Sequence, residues 1–235
     1  MTKQPERPSQ NSSDAENTPD PQHSLAGGDE STYLSREDEL ANVITHTLGI
    51  VLSLFAAAYF WSSIPGENFG LRVSCLVFCS CMTLVYTFST LSHAIEKPDW
   101  RNRLRAWDQG TIYLLIIGTY SPFIWEGTEG SFRVGFFAVA WGIALLGFYS
   151  KVFATHRINA VATLTYLALG WLPALPLIAT TPWICFVWML AGGVCYSVGV
   201  LFLKQSSRIR FSHAVWHIFV MLGSACHVYA VSLLA

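Results

Sequence analysis

The stretch SHAVWHIFVMLGSACHVYAVSLL, residues 212–234, is apolar along most of its length, yet two histidines stand near its start. A membrane-spanning helix needs roughly 20 consecutive apolar residues, and this stretch meets that length. His213 and His217 are about one helical turn apart, so both imidazoles lie on the same helix face and could bind one ion together. Taken alone, such a pair more often marks a membrane interface than a metal site.

The composition of the whole chain is that of a membrane protein. Of its 235 residues, 52% are hydrophobic and 12% are charged, whereas roughly 25% of an ordinary soluble domain is charged. Apolar windows predict an all-α fold, a bundle of seven transmembrane helices with short connections. The predicted spans lie near residues 42–62, 71–93, 106–125, 132–150, 160–179, 183–203 and 212–234. Pro173 and Pro176 are expected to kink the fifth span.

The N-terminal segment differs from the rest of the chain in both charge and hydrophobicity. Residues 1–40 carry nine acidic and three basic side chains and are rich in Ser and Pro. Such a segment buries too little apolar surface to offset the entropy of ordering. We therefore predict a disordered acidic tail over residues 1–38 and a seven-transmembrane domain over residues 39–235. No basic segment followed by an apolar one opens the chain, so no cleaved secretory signal is expected.

The distribution of Lys and Arg predicts the orientation of the bundle. Nine of these residues lie in the three loops on one side, and only Arg72 and Arg133 lie on the other. By the positive-inside rule the N-terminus is cytoplasmic and the C-terminus lies outside the cell. The predicted location is the inner (plasma) membrane, which the chain crosses several times.

Polar residues from three spans are predicted to meet near the cytoplasmic face. Asp108 is the one acidic residue that enters a span, and an ionisable group inside a bilayer is by default a functional candidate. His93 ends the second span, Ser89 lies one helical turn before it, and the histidine pair begins the seventh. All of them lie roughly 5–10 Å below the last charged residues at 1.5 Å per residue, and so share one membrane layer.

Three imidazoles and a carboxylate at one depth favour a tetrahedral zinc site with an open position for water. His93, His213 and His217 are the predicted ligands, although iron, nickel and copper also accept imidazole. Each residue has an ordinary alternative: Asp108 could pair with Arg105 or act as an N-terminal helix charge. Serines such as Ser89 pack routinely between membrane helices.

A stripe on the first span faces the same layer. Glu39, Asn42 and His46 follow a helical spacing, so they form one face of the helix. We predict that they hydrogen-bond the metal ligands and are not ligands themselves. His227 lies about 15 Å farther along the helix than His217, too far to bind the same ion.

Several motifs, in order, resemble the hemolysin III family, bacterial relatives of the progestin and adipoQ receptors and, more distantly, of alkaline ceramidases. The resemblance covers about residues 35–235, and Gln109 departs from it where histidine is common. The motifs are ELANVITH at 39–46, STLSH at 89–93, WDQGTIYLLIIGTYSPF at 107–123, GW at 170–171 and HAVWHIFVMLGSACH at 213–227. The resemblance implies Zn²⁺ held by His93, His213 and His217, with a water next to Asp108.

Three functions are compatible with these features. The first is a zinc-dependent hydrolase of a lipid amide, or of an ester, near the inner leaflet, with Asp108 and Ser89 as its catalytic residues. The second is a lipid-sensing, receptor-like protein in which zinc is structural, and the third is a pore-forming hemolysin. Fold and metal do not establish turnover, so enzymatic activity stays open. The expected partner is a membrane lipid or lipid-derived ligand, not a nucleic acid, and the oligomeric state is not predicted.

Overall fold

A computed structural model describes residues 35–153 and 159–234 of the chain, and the side chains of residues 159–162 are outside the description. Within those ranges the chain forms seven α-helices, one short 3-10 helix and no strand. The helices are α1 (Arg36–Ser63), α2 (Phe69–Ala94), α3 (Pro98–Gly127), α4 (Gly130–Val152), α5 (Asn159–Trp171), α6 (Trp183–Leu203) and α7 (Ser212–Ser232), and the 3-10 helix is Leu172–Leu177. The predicted all-α fold is confirmed.

The first helix begins earlier than the predicted domain boundary at residue 38. Ser35 is the N-cap of α1, and its side chain accepts a hydrogen bond from the Asp38 N–H. Glu37, Asp38 and Glu39 occupy the first turn, where negative charge is favourable because of the helix dipole. The end of the predicted acidic tail is therefore helical, and residues 1–34 of that tail lie outside the described residues.

The fifth predicted span contains the change of helical geometry expected from its prolines. α5 ends at Trp171, and the segment that contains Pro173 and Pro176 continues as the 3-10 helix. Proline lacks the N–H group that donates a hydrogen bond in the interior of an α-helix. The tighter 3-10 helix therefore replaces the regular α-helical hydrogen bonds here. At the predicted kink the chain therefore changes from α to 3-10 geometry.

Packing is closest between α2 and its neighbours α1 and α3, between α3 and α4, and between α6 and α7, while α7 also contacts α1. By length and composition, five described helices could cross a membrane, namely α1, α2, α4, α6 and α7. The outward faces are apolar, as Phe132, Leu146 and Leu164 illustrate. The prediction of a multi-pass membrane protein is confirmed, while crossing by α3 and by the α5 segment stays a prediction.

Small residues let α6 and α7 approach closely. A Cβ atom at Gly192 would lie 2.9 Å from the Gly223 carbonyl oxygen and 2.5 Å from Nε2 of His227. A Cβ atom at Gly223 would lie 2.6 Å from the Tyr196 ring. Close approach at small residues is the usual way in which membrane helices associate.

Candidate metal centre

The three histidines predicted as ligands meet at one end of the bundle. One ring nitrogen from each of His93, His213 and His217 lies within 4.8 Å of the others. The ring centroids of His93 and His213 are 4.9 Å apart, and those of His213 and His217 are 4.6 Å apart. His93 comes from the last turn of α2, and the other two come from the first two turns of α7. The ends of these helices thus bring three imidazoles close enough for one ion.

The α1 helix orients His93. The His93 Nδ1–H donates to Oε2 of Glu39 across 2.6 Å, and the Asn42 amide lies 3.4 Å from the same nitrogen. Arg101 of α3 lies 3.5 Å from the other Glu39 oxygen and donates to the Ile95 carbonyl. With its proton on Nδ1, His93 keeps a lone pair on Nε2, as a metal ligand requires.

His217 is oriented in the same way by a different residue of α1. Thr45 donates its hydroxyl hydrogen to the Ala41 or Asn42 carbonyl, so its oxygen is free to accept from Nδ1 of His217 at 3.1 Å. Thr45 was not among the residues predicted from sequence, although it lies on the same helix face as Asn42. The Nε2 of His217 then has its lone pair available as well.

His46 contacts the site by ring stacking. Its ring lies 3.5 Å from that of His217 at an angle of 16°, and 5.0 Å from the Tyr86 ring. Both of its ring nitrogens are buried and have no hydrogen-bond partner among the described residues. We expected His46 to hydrogen-bond a ligand, and instead it supports His217 by packing.

Asp108 and Ser89 complete the site. The Asp108 carboxylate is close enough to Ser89 for a hydrogen bond and lies within electrostatic range of His93 and Arg105. Ser89 is buried, and its Oγ lies 3.5 Å from Nε2 of His217. A carboxylate and a hydroxyl therefore lie next to the histidine cluster.

Asp38 holds the start of α7 to the start of α1, a contact that sequence reasoning missed. It is buried, and its Oδ1 accepts the Phe211 N–H at 2.6 Å while its Oδ2 accepts the Ser35 hydroxyl at 2.6 Å. Phe211 has a φ of 58°, in the left-handed region. Because His213 follows two residues later, this contact helps to set where the histidine pair enters the bundle.

A second polar group lies deeper in the bundle. Ser224 of α7 accepts a hydrogen bond from the Tyr86 hydroxyl at 2.8 Å and lies 2.9 Å from the Tyr196 hydroxyl. The His227 ring stacks on Tyr196 with centroids 5.5 Å apart. His227 is therefore part of the packing between α6 and α7 and does not reach the three-histidine cluster.

Comparison with known proteins assigns the family. The model of the haemolysin-III-related family matches residues 34–228, which include every residue of the cluster. The chain belongs to this haemolysin III family. The hemolysin-3 homolog of Bacillus subtilis is 36% identical over 201 residues, 83% of this chain and 93% of the relative.

Two other relatives illustrate the range of the haemolysin III family and its neighbours. Hemolysin-3 of Bacillus cereus is 36% identical over 201 residues, 83% of this chain and 90% of the relative. The human monocyte to macrophage differentiation factor is 24% identical over 206 residues, 83% of both chains. The similarity thus extends from bacterial haemolysin III proteins to an animal protein of similar span.

Proposed function

We propose that this haemolysin III protein is a zinc-dependent hydrolase that cleaves a lipid amide at the cytoplasmic side of the membrane. The observation that carries the proposal is the convergence of three imidazole nitrogens within 4.8 Å. Asp108 and Ser89 stand beside that cluster. A catalytic zinc site usually has three protein ligands and a fourth position that is open to water.

The donor set suits zinc. Two of the three imidazoles donate their Nδ1–H to an oxygen of α1, so the Nε2 lone pair of each is available for a metal ion. Neutral imidazoles held by carboxylate or hydroxyl partners are the usual zinc ligands. His213 is only partly buried, which is compatible with access for a substrate.

The residues around the cluster support hydrolysis by general acid–base catalysis. Bound zinc would supply a Lewis acid that activates water and polarises a carbonyl. Asp108 accepts one proton from the attacking water and delivers it to the leaving amine as the amide C–N bond breaks. The hydroxyl stays on the acyl carbon, so the products are a carboxylic acid and an amine. Ser89 donates its hydroxyl hydrogen to the oxyanion that forms on the carbonyl oxygen.

The location of the site favours a lipid as the substrate. His93 ends α2 and His213 begins α7, and both helices are long and apolar enough to cross a membrane. A headgroup amide at the membrane interface could reach this depth while its acyl chains stay among lipids. The inner leaflet follows from the predicted cytoplasmic orientation of this end.

The test combines metal content with turnover on the full-length protein purified in detergent. Zinc is measured by mass spectrometry, and hydrolysis is followed with an N-acyl amide lipid that carries a fluorescent acyl chain. Asp108→Asn should keep zinc and lose activity by about 100-fold or more. His213→Ala with His217→Ala should lose both zinc and activity. His227→Gln removes a histidine from the same helix outside the cluster and should keep both.

Three results would contradict the proposal. If the wild type purifies without metal after zinc is supplied throughout, the three-histidine site fails. If it binds zinc but cleaves neither amide nor ester lipids, or if Asp108→Asn is fully active, the hydrolase mechanism fails. A retained metal without turnover would favour the structural-zinc alternative.

A further inference from the structure

An open groove crosses the lipid-facing side of the bundle far from the histidine cluster. Its volume is about 510 Å³, within the roughly 300–1,000 Å³ of small-ligand sites. It lies between α2, α3 and α4, and runs along α2 from Phe69 to Val77. That distance is about 12 Å at 1.5 Å per residue. Because α2 begins at Phe69 and His93 lies near its other end, the groove occupies the half of the bundle opposite the histidine cluster. The distribution of Lys and Arg predicts that this is the outer half.

The wall of the groove is almost wholly apolar even where the residues are serines. Ser74 donates its hydroxyl hydrogen to the Gly70 carbonyl, and Ser121 donates to the Ile117 carbonyl. The Trp141 indole N–H in turn donates to the Ser121 oxygen at 3.3 Å. These polar atoms are satisfied within the wall, so the groove offers little to a polar ligand and suits a hydrocarbon chain.

An arginine stands at the outer end of the groove. The Arg133 guanidinium lies 4.4 Å from the centroid of the Trp125 ring, and Trp125 lines the groove. Its Nε–H donates to the Thr128 carbonyl. Across the described residues, no carboxylate lies within ion-pair distance of Arg133. The remaining guanidinium N–H groups can therefore pair with an anion at the membrane surface.

The other arginine on this side is engaged differently. Arg72 donates to the Ile64 carbonyl and lies 5.1 Å from the centroid of the Trp61 ring. Its contacts tie α2 to the end of α1, and it does not line the groove. Arg133 is thus the cation that adjoins both the groove and the predicted outer surface.

From this geometry we propose that the groove binds one acyl chain of an anionic phospholipid from the outer leaflet, with the lipid phosphate paired to Arg133. The apolar wall would contact the acyl chain, and Arg133 would pair with the negative charge of the phosphate. The site is independent of the proposed hydrolase, because none of the residues that line the groove contributes to the histidine cluster.

The experiment uses the full-length protein in nanodiscs of equal parts phosphatidylglycerol and phosphatidylcholine. Native mass spectrometry then counts the lipids that stay bound after the protein is released from the nanodisc. It also gives the mass of the protein assembly. Wild type should retain phosphatidylglycerol in preference to phosphatidylcholine. Arg133→Gln should weaken that preference by about tenfold, the effect of losing one charge-assisted contact, and Arg133→Lys should keep part of it.

A second pair of variants tests the groove itself. Val73 lines it and is 39% exposed, so Val73→Trp should fill the groove without disturbing the core. Val139 of α4 is 63% exposed and does not line it, so Val139→Trp is the matched control. We expect Val73→Trp to lose the retained lipid and Val139→Trp to keep it.

Three results would overturn the proposal. One is equal lipid retention in Val73→Trp and Val139→Trp, and another is an unchanged lipid preference in Arg133→Gln. The third is a wild-type dimer that Val73→Trp converts to a monomer while lipid retention stays constant, since a second copy of the chain would then occupy the groove. None of these results depends on zinc or on hydrolysis, so failure here is separate from failure of the proposed function.

Discussion

The two halves of α7 are held in the bundle by different kinds of contact. The first half is fixed by hydrogen bonds to α1, through Asp38 to the Phe211 N–H and through Thr45 to His217. The second half is fixed mainly by shape, because Gly192 of α6 and Gly223 of α7 allow the helices to touch. One helix thus combines a directional anchor at its predicted cytoplasmic end with close packing farther along its length.

The difference shows where chemistry can be supported in this bundle. Hydrogen bonds fix the direction of a ring as well as its position, and a metal ligand needs both. Close packing fixes distance but leaves little room for a substrate. The histidine cluster lies in the half that is held to α1 by hydrogen bonds, and the contacts of Gly192 and Gly223 lie in the other half, which packs closely against α6.

The largest effect is expected where close packing is the main contact that holds α7. In Gly223→Ala the new Cβ would lie 2.6 Å from the Tyr196 ring, and that ring cannot move away easily because its hydroxyl contacts Ser224. Overpacking of this kind should lower the free energy of unfolding by about 2–3 kcal/mol. Thermal unfolding in detergent measures the loss.

Gly142→Ala is the control for that variant. A Cβ at Gly142 of α4 has no atom within 4 Å, so the substitution should be neutral or slightly stabilising because alanine is the better helix former. Equal melting temperatures for the two variants would show that α6 and α7 are not held by close approach.

The next largest effect is expected at the anchor of the first half. Asp38→Ala leaves the partly buried Phe211 N–H and the Ser35 hydroxyl without their acceptor. The expected loss is about 2 kcal/mol of unfolding free energy, because an unpaired donor remains. Zinc affinity, measured by competition with a chelator, should fall as well, since His213 follows the anchor. Asp38→Asn keeps an acceptor oxygen and should recover part of the stability and part of the zinc affinity. A wild-type zinc affinity in Asp38→Ala would show that the anchor does not position the histidines.

A smaller effect is expected from the residue that orients His93. Glu39→Gln keeps a side chain of similar size but removes the negative charge that accepts the His93 Nδ1–H at 2.6 Å. Loss of such a partner should weaken zinc binding about tenfold, with little change in thermal stability of the metal-free protein. If zinc affinity is unchanged while stability falls, Glu39 serves the packing of α1 and not the metal site.

The sequence predicts the helices and the histidine cluster well because both depend on local information. Long apolar windows locate each helix, and a common depth brings His93, His213 and Asp108 to one layer without knowledge of the packing. The contact between Asp38 and Phe211 was out of reach, since it joins residues 173 positions apart and requires a left-handed backbone at Phe211. The hydroxyl contacts of Ser224 were also missed, because serine is common in membrane helices whether or not it has a distant partner.

The smallest effect is expected at an ion pair that adjoins the anchor but is exposed. Glu37 lies 3.3 Å from Arg210, and their side chains are 68% and 61% exposed. Water and salt screen such a pair, so Glu37→Gln should change the unfolding free energy by less than about 1 kcal/mol and leave zinc affinity unchanged. Glu37 and Asp38 are adjacent acids at the same helix end, so burial and hydrogen bonding are the main differences between them. Glu37→Gln and Asp38→Asn could instead lower the unfolding free energy by the same amount. In that case the negative charge of this helix end would matter more than the hydrogen bond to Phe211. The first half of α7 would then be held by electrostatic attraction and not by a directional contact.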